Sequence, residues 1–144
     1  NRETGGAEAL SSAALVLHAK RALGIFPEGT RSKKKEPPFL LPGKTGIARL
    51  SASYPDVPVV PIGLMGTREF MTPSDHKLPR LWKRVAISYG KPVTWWNWLE
   101  ENVGLEDLQV LADKDDHEVK STLAGYYRKF TDDFMERIKE QGAP

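Results

Sequence analysis

A short apolar run, Ala22-Leu23-Gly24-Ile25-Phe26, stops at Pro27 and is followed at once by Glu28-Gly29-Thr30-Arg31-Ser32. The run has strand composition, and a proline cannot extend a ladder from its own nitrogen. The pattern predicts a buried strand over 22–27 that delivers a polar turn to its C-terminal end. Glycine at 29 lets the backbone approach a ligand closely, because no Cβ stands in the way. Beside it stand a carboxylate, a hydroxyl and a guanidinium, three groups suited to holding a polyol phosphate. Arg31 is the natural phosphate ligand, since a planar guanidinium binds two phosphate oxygens at once. Glu28 can accept hydrogen bonds from sugar or glycerol hydroxyls. For any one of these residues alone, a polar turn after a buried strand is a sufficient account.

The flanking pattern extends the fold. Ala7, Leu10, Ala14 and Leu17 recur at helical spacing and predict a helix over Glu3–Lys20, with Thr4 as its N-cap. Ser32–Leu41 reads as a loop, with three consecutive lysines and the pair Pro37-Pro38. A second helix is expected over Thr45–Tyr54, burying Ile47 and Leu50 and stopped by Pro55-Asp56. Val57–Met65 follows as a strand apolar enough to be buried on both faces. Strand, helix, strand in this order is a βαβ unit, with parallel strands and a right-handed crossover. Ligand sites in such sheets lie beyond the C-terminal ends of the strands, where Glu28–Arg31 falls. Arg84–Tyr89 alternates as a third strand, ended by Gly90-Lys91-Pro92. A long helix over Asp115–Gln141 carries Val119, Leu123, Tyr127, Phe130, Phe134 and Ile138 on one stripe. The expected fold class is therefore α/β: a sheet with a βαβ unit flanked by helices.

Composition removes several function classes. The 144 residues are one domain's worth of chain, and a formal net charge of +2 is too small to argue for nucleic acid. There is no cysteine, hence neither a disulfide framework nor a thiolate nucleophile. No stretch approaches the ~20 apolar residues of a membrane span. No cluster has metal-ligand spacing, so no metal is expected. The chain opens at Asn1 without a signal-peptide pattern, and is expected to be a fragment lacking its true N-terminus.

Phe26–Ser32 resembles the third signature block of the glycerolipid acyltransferases, the family of the 1-acylglycerol-3-phosphate (lysophosphatidic acid) acyltransferases. Two further matches follow in order. Pro42-Gly43-Lys44-Thr45-Gly46 is similar to the segment that opens the family's next helix, and Val57-Pro58-Val59-Val60-Pro61-Ile62 to its fourth block. Arg2 resembles the last residue of the second block, whose arginine also faces the phosphate; a frayed terminal arginine is the alternative. The resemblance covers roughly residues 1–92, leaving 93–144 as a helical C-terminal extension of a single domain. It implies a glycerolphosphate acyltransferase-like fold with its N-terminal part missing. It also implies transfer of a fatty acyl group from acyl-CoA or acyl-carrier protein to 1-acylglycerol-3-phosphate, giving phosphatidic acid in phospholipid biosynthesis. Glu28, Gly29, Thr30 and Arg31 would bind the acceptor's glycerol phosphate, with Arg2 and Lys44 assisting. The donor is a substrate, and no cofactor is implied. The lipid substrates place the parent protein peripherally at the cytoplasmic face of a membrane. Glycerol-3-phosphate or another lysophospholipid as acceptor, or a non-catalytic lipid-phosphate binding module, are the competing readings.

The remaining constellations are less specific. Gly43-Lys44-Thr45 opens a helix, where free N–H groups and the dipole favour an anion. A solvated lysine is the alternative. A nucleotide P-loop fails, because Pro38 stands where its first glycine belongs. Acyl transfer needs a base to take the acceptor's proton. The resembled family uses a histidine with an aspartate five positions on, but His18, His76 and His117 are followed at that spacing by Leu23, Leu81 and Thr122. The dyad is expected upstream of Asn1, and the chain alone is expected to be inactive. Lys77, Arg80, Lys83 and Arg84 interleave with Leu78, Leu81 and Trp82, which suits an anionic lipid surface or a solvated loop with one tryptophan turned inward. Trp95, Trp96 and Trp98 are expected in the core or a hydrophobic pocket.

Overall fold

The core forms where one long helix meets two short ones. The computed structural model describes residues 2–71, 80–112 and 115–144. Its element order is α1 (Arg2–His18), α2 (Gly46–Ser53), β1 (Ile62–Met65), α3 (Thr67–Phe70), β2 (Ala86–Tyr89), α4 (Trp95–Asn102), α5 (Leu105–Ala112) and α6 (Asp116–Glu140). Asp115 starts α6 as its N-cap, its carboxylate accepting from the N–H groups of His117 (2.9 Å) and Glu118 (2.8 Å). The predicted stripe then separates by depth. Phe130, Phe134 and Ile138 are buried with Met135, while Val119, Leu123 and Tyr127 nearer the start are half-buried.

Against this stripe pack α2, through Ile47 and Ala48, and α4, through Trp95, Trp98 and Leu99. Thr94 caps α4 by accepting from the Asn97 N–H at 3.1 Å. Trp95 and Trp98 stack with ring centroids 5.4 Å apart, and Phe130 meets Trp98 edge-on at 5.3 Å. The Trp98 indole N–H donates to Asp133 at 2.9 Å, so the deepest ring carries no orphan donor. Trp96 takes the other expected place: half exposed, it lies outside the core and lines a shallow pocket with Leu99 and Leu108.

α1 begins at Arg2, so Thr4 lies inside the helix and is not its N-cap. It ends as predicted near Lys20, which takes a left-handed φ of +55°. The N–H groups of Lys20 and Arg21 there close back onto the carbonyls of Leu17 and Val16. The Tyr54 hydroxyl, at the end of α2, donates to the Ala14 carbonyl at 2.9 Å and ties the two helices together.

The strands differ most from expectation. Residues 22–27 enter no ladder among the described residues and end in a turn at Pro27, and Phe26 is 74% exposed. Strand composition does not make a strand without an edge to pair with. Over 57–65 only Ile62–Met65 forms a strand; Pro58 and Pro61 withhold ladder donors, and Val59 touches the rest through a single bridge to Val93. β1 pairs antiparallel with β2, Ile62 opposite Tyr89 and Leu64 opposite Ile87, so the parallel βαβ unit is not formed among the described residues.

The sheet is not buried on both faces either. Gly63, Met65 and Ser88 face the C-terminal end of α6, where the Ser88 hydroxyl donates to Gln141 at 2.9 Å. Ile62, Ile87 and Tyr89 on the other face are exposed. No helix among the described residues is long and apolar enough to cross a membrane.

Candidate functional site

The polar turn is a real corner. The Gly29 N–H donates to the Phe26 carbonyl at 3.0 Å, and Gly29 takes φ = +64°, in the left-handed region where a side chain is strained. The absent side chain leaves room for a specific neighbour. A Cβ on Gly29 would lie 2.9 Å from Lys44 Nζ, so the ammonium rests over bare backbone. The Lys44 N–H in turn donates to the Pro27 carbonyl at 2.8 Å. The turn and Lys44 are thus brought together by backbone, through Pro27, as well as by side chain, over Gly29.

Two supports hold this corner, and neither follows from the spacing of the sequence. Glu28 points inward across the loop, and its Oε2 accepts from the Leu41 N–H at 2.6 Å. One of its oxygens is therefore engaged in fixing the loop. On the other side Gly43 is buried against α6, where a Cβ would come within 2.8 Å of Met135 Cγ and Thr131 Cγ2. Arg128 of α6 donates to the Gly43 carbonyl at 2.8 Å, and its guanidinium also pairs with Asp132. An arginine on the half-buried side of a long helix gives no sequence signal that it braces a loop some 85 residues away.

Thr30 and Arg31 follow Gly29 on the exposed side. Arg31 makes no hydrogen bond or ion pair among the described residues, and Glu28 does not neutralise it. The Lys44 ammonium likewise has no carboxylate partner among the described residues. Lys34 is drawn away, donating to the carbonyls of Pro38 (2.9 Å) and Leu40 (3.3 Å). Thr45 precedes α2 without a side-chain cap bond. What results is an exposed corner in which Lys44 Nζ lies over the bare backbone of Gly29 and Arg31 follows two residues on. Neither cation has a carboxylate partner among the described residues, and the N-terminus of α2 adjoins. Such a corner attracts an anion.

The other candidates fall elsewhere. Arg2 opens α1, but its side chain lies outside the described residues, as do His76 and Lys77. His18 ends α1 and His117 lies in the first turn of α6, both exposed and neither with a carboxylate ion-pair partner among the described residues. No group of three or more metal-ligating residues occurs among the described residues.

Neither a curated protein nor a solved structure was found to match the chain. Residues 1–65, which contain the Gly29 turn, the Lys44 corner and α2, match the family model described as Acyltransferase, and this match supports an acyltransferase family and a general acyl-transfer function.

Proposed function

We propose that the chain is the C-terminal portion of a single acyltransferase domain with an α/β, glycerolphosphate acyltransferase-like fold. In this reading its parent is a 1-acylglycerol-3-phosphate O-acyltransferase, forming phosphatidic acid from an acyl-CoA or acyl-carrier-protein thioester at the cytoplasmic face of a membrane. The observation that carries the reading is the seating of Lys44 over Gly29, with Arg31 two residues on and without an ion-pair partner among the described residues. Two cations around exposed backbone suit the acceptor's phosphate. Arg31 takes two phosphate oxygens, Lys44 supplies a point charge, and Thr30 and the remaining Glu28 oxygen meet glycerol hydroxyls. Arg2 is assigned to the same phosphate by resemblance alone.

In the reaction, a base removes the acceptor hydroxyl's proton as that oxygen attacks the thioester carbonyl, and the thiol leaves. This corner holds the acceptor and does not itself supply the base.

The test is Arg31→Ala in the full-length parent, measured as kcat/KM for lysophosphatidic acid and for an uncharged monoacylglycerol. A charge-assisted hydrogen bond contributes roughly 1.5–3 kcal/mol, so the loss on the phosphorylated acceptor should be about ten- to hundredfold. Arg31→Lys should recover part of it, since the charge returns without the planar fork. An equal proportional loss on both acceptors would remove Arg31 from the phosphate site.

A further inference from the structure

Residues 80–84 form an exposed turn whose composition is unlike the rest of the surface. The Lys83 N–H closes onto the Arg80 carbonyl at 2.9 Å, which leaves Leu81 and Trp82 as the two central residues. They are 80% and 77% exposed, the two most exposed large apolar side chains among the described residues. An indole held in water at the tip of a turn is costly unless something covers it. The apolar surface does not end there. Val85, just before the strand that follows, is also exposed, as are Ile87 and Tyr89 on the sheet face turned away from α6.

Charge narrows what can cover this surface. Arg80, Lys83 and Arg84 flank the two apolar residues, and none has a carboxylate partner among the described residues. Between Asp75 and Glu100 the chain carries five Lys or Arg and no Asp or Glu. A cationic rim around a protruding indole and a leucine complements an anionic surface with an apolar interior. An anionic bilayer has both, with phosphates for the guanidinium and ammonium groups and acyl chains for Leu81. An acidic protein would satisfy the charges while leaving the apolar tip in contact with polar side chains.

We infer that the 80–84 turn is a membrane-docking wedge, with Leu81 and Trp82 entering the interface of an anionic bilayer and Arg80, Lys83 and Arg84 holding its headgroups. This deepens the membrane-face location proposed above and rests on it, but uses nothing of the acyl-transfer chemistry.

The experiment is flotation of the 144-residue chain with phosphatidylcholine vesicles, with and without phosphatidylglycerol, at low and high salt. The wild type should float with the anionic vesicles and be released by salt. Leu81→Ser/Trp82→Ser should lower the partition coefficient about tenfold or more, by withdrawing two apolar side chains from the interface. Arg80→Gln/Lys83→Gln/Arg84→Gln should lower it at least as much, at roughly fivefold per charge near the surface. All five side chains are clear of the core, and melting curves should coincide with the wild type. Flotation unchanged in both variants would overturn the wedge while leaving the membrane location standing. A wild type that never floats would overturn both. Sedimentation without lipid should show a monomer; a dimer that dissociates on Leu81→Ser/Trp82→Ser would reassign the turn to a contact between chains.

Discussion

At the residue scale, the candidate site depends on one missing side chain. Gly29 sits at φ = +64° with Lys44 Nζ only 2.9 Å from where its Cβ would be. Gly29→Ala therefore has two effects. The left-handed backbone should cost about 1–2 kcal/mol of stability, read in a thermal melt. The new methyl group should also push the flexible Lys44 tip off the backbone, which is sterically cheap but removes the charge from its place. In full-length protein the two effects separate in a double-mutant cycle. If Gly29→Ala already displaces the ammonium, adding Lys44→Ala should lower kcat/KM for lysophosphatidic acid much less than Lys44→Ala does alone. Fully additive losses would show that Lys44 does not act from over Gly29. The residue types at this corner were legible in the sequence, because glycine, arginine and lysine each have a narrow chemical use there. The direction of Glu28 was not, since an acceptor in a motif looks the same whether it serves a ligand or the Leu41 N–H.

At the scale of elements, α1, α2, α6 and the strand β2 inside 84–89 were legible, whereas the strands expected over 22–27 and most of 57–65 were not, for a physical reason. A helix satisfies its backbone within itself, so the spacing of Phe130, Phe134 and Ile138 and the cap at Asp115 suffice to place α6. A strand needs a second strand, and its composition is silent about whether one is available. Among the described residues, 22–27 have the right side chains and no ladder, and 57–61 have only the single bridge from Val59 to Val93. The same distinction governs the glycines. Gly63 in β1 lies so close to the end of α6 that a Cβ would meet the Gln141 carbonyl oxygen, a backbone atom that cannot swing aside. Gly63→Ala should destabilise by about 2 kcal/mol or more, within the overpacking range. Gly125, inside α6, has nothing within 4 Å of its would-be Cβ. Gly125→Ala should stabilise by about 0.5–1 kcal/mol through helix propensity alone. Urea melts of the two variants should shift in opposite directions. A stabilised Gly63→Ala would mean that β1 does not rest on the helix end.

At the scale of the whole molecule, holding an acceptor and reacting with it are separate requirements, and the proposed Gly29–Lys44 corner addresses only the first. The core that positions the corner draws Ile47 and Ala48 from the part resembling the acyltransferases and eight residues, Val93 to Ile138, from the part that does not. The C-terminal helices therefore act as the scaffold on which Gly43, and through it Lys44, is fixed. That partnership was illegible beforehand, because periodicity identifies an apolar stripe without naming what lies on it. His18 and His117 stand exposed on helix ends without an orienting carboxylate, and general-base assistance contributes roughly 10²–10⁴ in rate. The 144-residue chain by itself should therefore show no thiol release from acyl-CoA with lysophosphatidic acid above a no-protein control. The same preparation should first pass a cooperative melt, so that absence of turnover is not absence of fold. Turnover above the control would refute this, and His18→Ala, His76→Ala and His117→Ala would then identify which imidazole takes the proton.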